Sequence, residues 1–128
     1  MNENSDTELV VDVISQMLKI QLIMAGANET DGLIIIPPNR SQFGYIIGFI
    51  DCGCRHQRGW DKVQTFNGIN GVLTNLYGAN RAQTLVDQLS EFDQSDAAHM
   101  EMGAHEFNQF SENEGSFSPL GLLTLADS

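Results

Sequence analysis

Residues 9–24 carry the pattern that most restricts the fold. Leu9, Val10, Val13, Ile14, Met17, Ile20 and Met24 recur at spacings of three and four, and Val11, Leu18, Leu22 and Ala25 add a second apolar stripe. That periodicity predicts a helix over 5–25, opened by Ser5, Asp6 or Thr7, with Glu8 completing a capping box on Ser5. Only Glu8, Asp12, Ser15, Gln16 and Lys19 make up its polar strip. A helix apolar around so much of its circumference needs cover on most sides, from its own domain or from a second chain. The expectation is a homo-oligomer joined through the 9–24 helix.

The remaining chain fits around that helix as a single domain spanning 1–128, with 1–4, 111–118 and 127–128 read as flexible ends. At 41 % hydrophobic residues it can build a core without staples. Leu33–Ile36 reads as a buried strand stopped by Pro37-Pro38. Read as a strand, Phe43 to Cys54 sets a mostly bulky face (Phe43, Tyr45, Ile47, Phe49 and Asp51) against a smaller one (Gly44, Ile46, Gly48, Ile50, Cys52 and Cys54), as expected where another element approaches closely. A helix over 41–57 capped by Ser41 is the alternative. Against it, glycines at 44, 48 and 53 would each cost about 1 kcal/mol relative to Ala. Asn80 then opens a helix carrying Ala82, Leu85, Val86, Leu89 and Phe92, and Asp96 opens another running to Phe110. The leucine-rich 119–126 segment docks as a short strand or covers a core edge. The fold class is therefore α+β: a long N-terminal helix, a small antiparallel sheet (about 33–36 with 43–54) and two or three C-terminal helices. An all-α bundle is the alternative.

Charge is segregated along the chain. The net charge is −11, and nine acids but no base follow Arg81. Five of the six bases, Arg40, Arg55, Arg58, Lys62 and Arg81, fall between residues 32 and 81. Direct nucleic-acid binding needs a basic face, so that function is excluded. An acidic surface instead attracts basic partners. Asp87, Glu91, Asp93, Asp96, Glu101 and Glu106 are its candidate partner-binding residues. The expectation is a non-enzymatic interaction protein, in its most specific form an inhibitor or adaptor that contacts the basic surface of a nucleic-acid-handling protein, a strategy that phage and mobile elements use.

Two other chemistries compete. Arg55, Arg58 and Trp60, with Tyr45, form a basic-aromatic cluster suited to a small molecule or an anion, held by an oligomeric domain. Cys52, Cys54 and His56 offer two thiols and an imidazole for a metal-dependent enzyme or sensor, with His99 and His105 completing the set from a distant helix. Structural zinc sites space their cysteines by two to four residues, whereas one residue separates this pair, which suits a small-residue core face equally well. Glu101 and His105 share a helical face, yet no H-E-x-x-H, phosphate-loop or nucleophile-elbow pattern occurs. No cofactor and no catalytic residue is called for. The acidic start lacks the pattern of a secretory signal and no apolar run reaches membrane-spanning length, so the expected location is the cytoplasm.

Overall fold

The computed structural model describes residues 3–56, 59–113 and 119–126, and for residues 3–7 and His56 the backbone alone. The chain is mostly helical, with one very small sheet. Helix α1 (Glu3–Met24) is followed by β1 (Glu29–Thr30) and β2 (Leu33–Ile34), then α2 (Arg40–Asp51), which runs on into a π-helical turn over Cys52–His56. Next come α3 (Lys62–Tyr77), α4 (Ala79–Gln88) ending in a 3₁₀ turn over Leu89–Glu91, α5 (Gln94–Glu112) and the short α6 (Gly121–Thr124). The strands pair antiparallel, Glu29 with Ile34 and Thr30 with Leu33. Of the positions read as flexible ends, residues 3–4 belong to α1 and 111–112 to α5. Residues 1–2, 114–118 and 127–128 lie outside the described residues.

The expected strand over 43–54 is a helix, and its hairpin with 33–36 does not form; Leu33–Ile34 pairs instead with Glu29–Thr30. The reason is energetic. Helix α2 is buried on every side, from Gln42 to Ile50 without interruption. Phe43, Tyr45, Ile46, Ile47, Phe49 and Ile50 all go into the core, each worth about 1.5–3 kcal/mol when taken fully from water. That outweighs about 1 kcal/mol of helix propensity lost at each glycine. The glycines are in turn what lets a neighbour come close enough to bury the helix. A Cβ on Gly48 would stand 1.9 Å from the Met100 carbonyl oxygen, and one on Gly103 would stand 2.1 Å from that of Tyr45. Helices α2 and α5 run in the same direction, since Gly44 faces His99, Gly48 faces Met100 and Gly53 faces Phe107.

Polar contacts fix both ends of this parallel pair. At the start, Arg40 donates from Nε and Nη2 to the two carboxylate oxygens of Asp96, at 2.7 and 2.8 Å, and to the Glu91 carbonyl at 2.8 Å. Its guanidinium also lies 5.0 Å over the Phe92 ring. At the far end the Cys52 thiol donates to Asn108 at 3.3 Å, and the Phe49 and Phe107 rings meet edge to face.

Asn39 rather than Ser41 caps α2. Its Oδ1 accepts from the Gln42 amide while Gln42 Oε1 accepts from the Asn39 amide. The same two side chains hold the C-terminal segment. Asn39 Nδ2 donates to the carbonyls of Leu125 and Ala126, and Gln42 Nε2 donates to that of Leu122. The 119–126 segment therefore covers a core edge, as a helical turn rather than a strand. Helix α4 begins after Gly78, one residue before the predicted cap, and Asp93 rather than Asp96 caps α5. Asp96 supplies the return half of that capping box.

The glycine contact yields a direct prediction. Gly48→Ala should destabilise the fold by about 3 kcal/mol, the upper end for an overpacked core, because only backbone can move to make room. Gly71→Ala, whose new methyl meets the tip of Val11 at 3.2 Å, should stay within about 1 kcal/mol of the parent. Denaturant melts of the two variants check this, and equal losses contradict it.

Candidate functional site: an acidic surface and an outward apolar helix face

The acidic residues divide into two sets. Asp96 is 1 % exposed and belongs to a clamp with Arg40, whose own side chain is half exposed. Glu106 is half-buried, accepting from the Tyr45 hydroxyl at 2.5 Å and from the Gly121 amide at 2.9 Å. These two side chains are taken up by the fold. Asp87, Glu91, Asp93, Glu101 and Glu112 face solvent. Asp93 is partly committed as the cap of α5, and hydrogen bonds from Ser95 hold its carboxyl below the usual carboxylate range. Among the described residues, no Lys or Arg is paired with Asp87, Glu101 or Glu112.

The bases show the opposite pattern. Lys19 donates to the Gly32 carbonyl at 2.6 Å and lies 3.7 Å from Glu29. Arg81 donates to the carbonyls of Ile34 and Ile35, tying α4 to the small sheet. Arg55 lies 3.7 Å from Asp51 one turn earlier. Four of the six bases, counting Arg40, thus make contacts within the chain, and among the described residues no Lys or Arg forms an ion pair with the exposed acids of α4 and α5.

Of the basic-aromatic cluster, Tyr45 is set apart from the rest. Tyr45 is fully buried; its hydroxyl accepts from Gln21 Nε2 at 3.2 Å and donates to Glu106. Burial, and then the Glu106 bond, push that phenol well above its usual range. Trp60 packs with Cys54 across Gly68, and its amide donates to the Cys54 carbonyl, closing the π turn. Arg55 is exposed, and Arg58 lies outside the described residues.

The thiols are core groups. Cys52 and Cys54 are each 1 % exposed, and burial, aided by Asp51, pushes the Cys54 thiol up to about 12. A thiol so rarely ionised is a poor nucleophile. His99 packs against Gly44, eight residues before Cys52 on α2, so about 12 Å of helix rise separates it from that thiol's level. Among the described residues, no group of three His, Cys, Asp or Glu side chains is placed to hold a metal ion. His56's side chain is outside that set.

Helix α1 supplies a second surface. Val10, Ile14, Leu18 and Leu22 enter the core, while Leu9, Val13, Ile20, Ile23 and Met24 point outward, each 45–59 % exposed. On the α5 side this outer face borders a groove of about 250 Å³ lined by Leu9, Val13, Met17, Phe107 and Phe110. The two stripes of the sequence do not match these two faces: the first contains inward Val10 and Ile14 together with outward Leu9, Val13, Ile20 and Met24. Among the described residues, no helix is long and apolar enough to cross a membrane.

The Arg40–Asp96 clamp makes a prediction about pH. The Asp96 carboxyl is held at about 2, against an ordinary 3.8, first by the Arg40 hydrogen bonds and then by the Asp93 amide. Because the folded value is the lower one, its contribution to stability is complete above about pH 4 and is lost as the pH falls through about 2. Asp96→Asn should lower Tm at neutral pH and remove that part of the acid-side slope. Parallel curves of Tm against pH for the two proteins contradict it. The chain matches no protein-family model, and no curated protein or solved structure matches it.

Proposed function

We propose that the chain is a non-enzymatic interaction protein that presents the acidic surface of α4 and α5 to a basic partner, most specifically as an inhibitor or adaptor engaging a nucleic-acid-handling protein. The observation that carries this reading is the unequal use of charge. Four of the six bases make internal contacts, whereas Asp87, Glu101 and Glu112 are exposed and have no Lys or Arg partner among the described residues. A surface of one sign speeds encounter with a complementary partner and disfavours phosphate backbones. The outward apolar face of α1 supports a homo-oligomeric form, since contiguous apolar surface on a small protein marks an interface.

Immobilised protein, exposed to cell lysate at low and high salt and read by mass spectrometry, tests the reading. The expected result is a nucleic-acid-binding protein retained at low salt, released at high salt and displaced by duplex DNA. Replacing Asp87, Glu91 and Glu101 together by Lys should abolish its capture while leaving the helical circular dichroism unchanged. Asp93 is left intact because it caps α5. Undiminished capture by the triple variant overturns the proposal.

A further inference from the structure

We infer that the groove beneath the C-terminal segment 119–126 is a preformed peptide site, and that it takes this segment from a second copy of the chain in exchange for its own. Helix α1, the start of α2 with its cap, and α5 supply four polar side chains that hold the segment, and each bond ends on its backbone. Gln21 Oε1 accepts from the Leu122 amide at 3.1 Å, and Gln42 Nε2 donates to the Leu122 carbonyl at 3.1 Å. Asn39 Nδ2 donates to the carbonyls of Leu125 and Ala126 at 2.9 and 3.2 Å, and Glu106 accepts from the Gly121 amide at 2.9 Å. Side chains are read by fit. Leu122 and Leu125 are buried, and Gly121 lies against the Tyr45 ring, where a Cβ would fall 2.2 Å from a ring carbon. Leu120 and Thr124 stay exposed. The site therefore selects Gly-Leu-x-x-Leu in one helical turn.

The groove does not need the segment to hold its shape. Each of the four side chains is anchored in the body by one contact and offers another to the segment. Asn39 and Gln42 have their oxygens tied in the cap of α2, which turns their amide nitrogens to the segment. Gln21 Nε2 donates to the Tyr45 hydroxyl, which leaves Oε1 for Leu122, and the same hydroxyl donates to Glu106. A site prearranged in this way loses little freedom when it is refilled. The segment itself is a weak element, because α6 has four residues and its few contacts must offset the ordering of the chain. Its release is a local opening, below the free energy of unfolding. Residues 113–118 reach about 20 Å when extended, against about 9 Å of α5 between Glu112 and Glu106. That surplus lets a released segment enter the groove of another copy, where it regains every contact it left. Neither the acidic surface nor the outer face of α1 takes part.

Intermolecular paramagnetic relaxation in the full-length chain tests this. Chains carrying a nitroxide on Ala126→Cys are mixed with isotope-labelled chains that carry none; the native thiols are buried. The amides of Gln21, Asn39 and Gln42 in the isotope-labelled chains should broaden, and more so as concentration rises. Leu122→Asp in the nitroxide-bearing chain, or an excess of the synthetic peptide 118–126, should abolish the broadening. When one chain carries both labels, the same amides should broaden at every concentration. Broadening within one chain but never between chains means that the segment stays in its own groove, and overturns the exchange. Intermolecular broadening that survives Leu122→Asp comes from another contact between copies, and overturns it as well. No broadening even within one chain overturns the site itself.

Discussion

Helices α2 and α5 touch backbone to backbone, with Gly48 against the Met100 carbonyl and Gly103 against that of Tyr45. No side chain fits between them at these points. From that approach follow the all-round burial of α2, the edge-to-face seating of Phe49 on Phe107, and the reach of Tyr45 to Glu106. Gly121 fits over the Tyr45 ring for the same reason: a Cβ there would fall 2.2 Å from a ring carbon. The Arg40–Asp96 clamp sets the starting register, and the Asn39–Gln42 cap draws the C-terminal segment onto the assembled pair.

Much of this was legible in the residues. The 3.6-residue periodicity of 9–24 and of 82–92 marks two helices directly, and the breadth of apolar surface on α1, though not its division into two stripes, agrees with apolar residues turned both in and out. The alternation of large and small side chains over 43–54, which reads as a strand, also arises on a fully buried helix. Gly44 and Gly48 sit four apart, one turn of one face. The inference that a small face admits a close neighbour was sound, but the neighbour is the backbone of α5. Gly103 carries the matching signal, a glycine inside an otherwise regular helical stretch. Neither glycine names its partner, because pairing across more than fifty residues is decided by tertiary packing.

The candidate surface was legible only in outline. Charge segregation along the chain marks 82–112 as acidic, but sequence spacing does not separate Asp96 and Glu106, which build the interior, from Asp87, Glu101 and Glu112, which do not. That division depends on where Arg40 and Tyr45 come to lie. Tyr45 parts from Arg55 and Trp60 for a related reason. Tyr45 sits on the buried heart of α2, whereas Arg55 lies in the π turn beyond it. With Asp96, Tyr45 and Glu106 bonded within the fold, the outside presents an acidic surface and an apolar one.

Amide hydrogen exchange, followed for the chain alone and with its captured basic partner, tests most directly whether the acidic surface is the one that works. The account predicts added protection confined to α4, the 3₁₀ turn and the outer face of α5, with α2 already slow and unchanged. Protection centred on 52–62, around the π turn and Trp60, would contradict it.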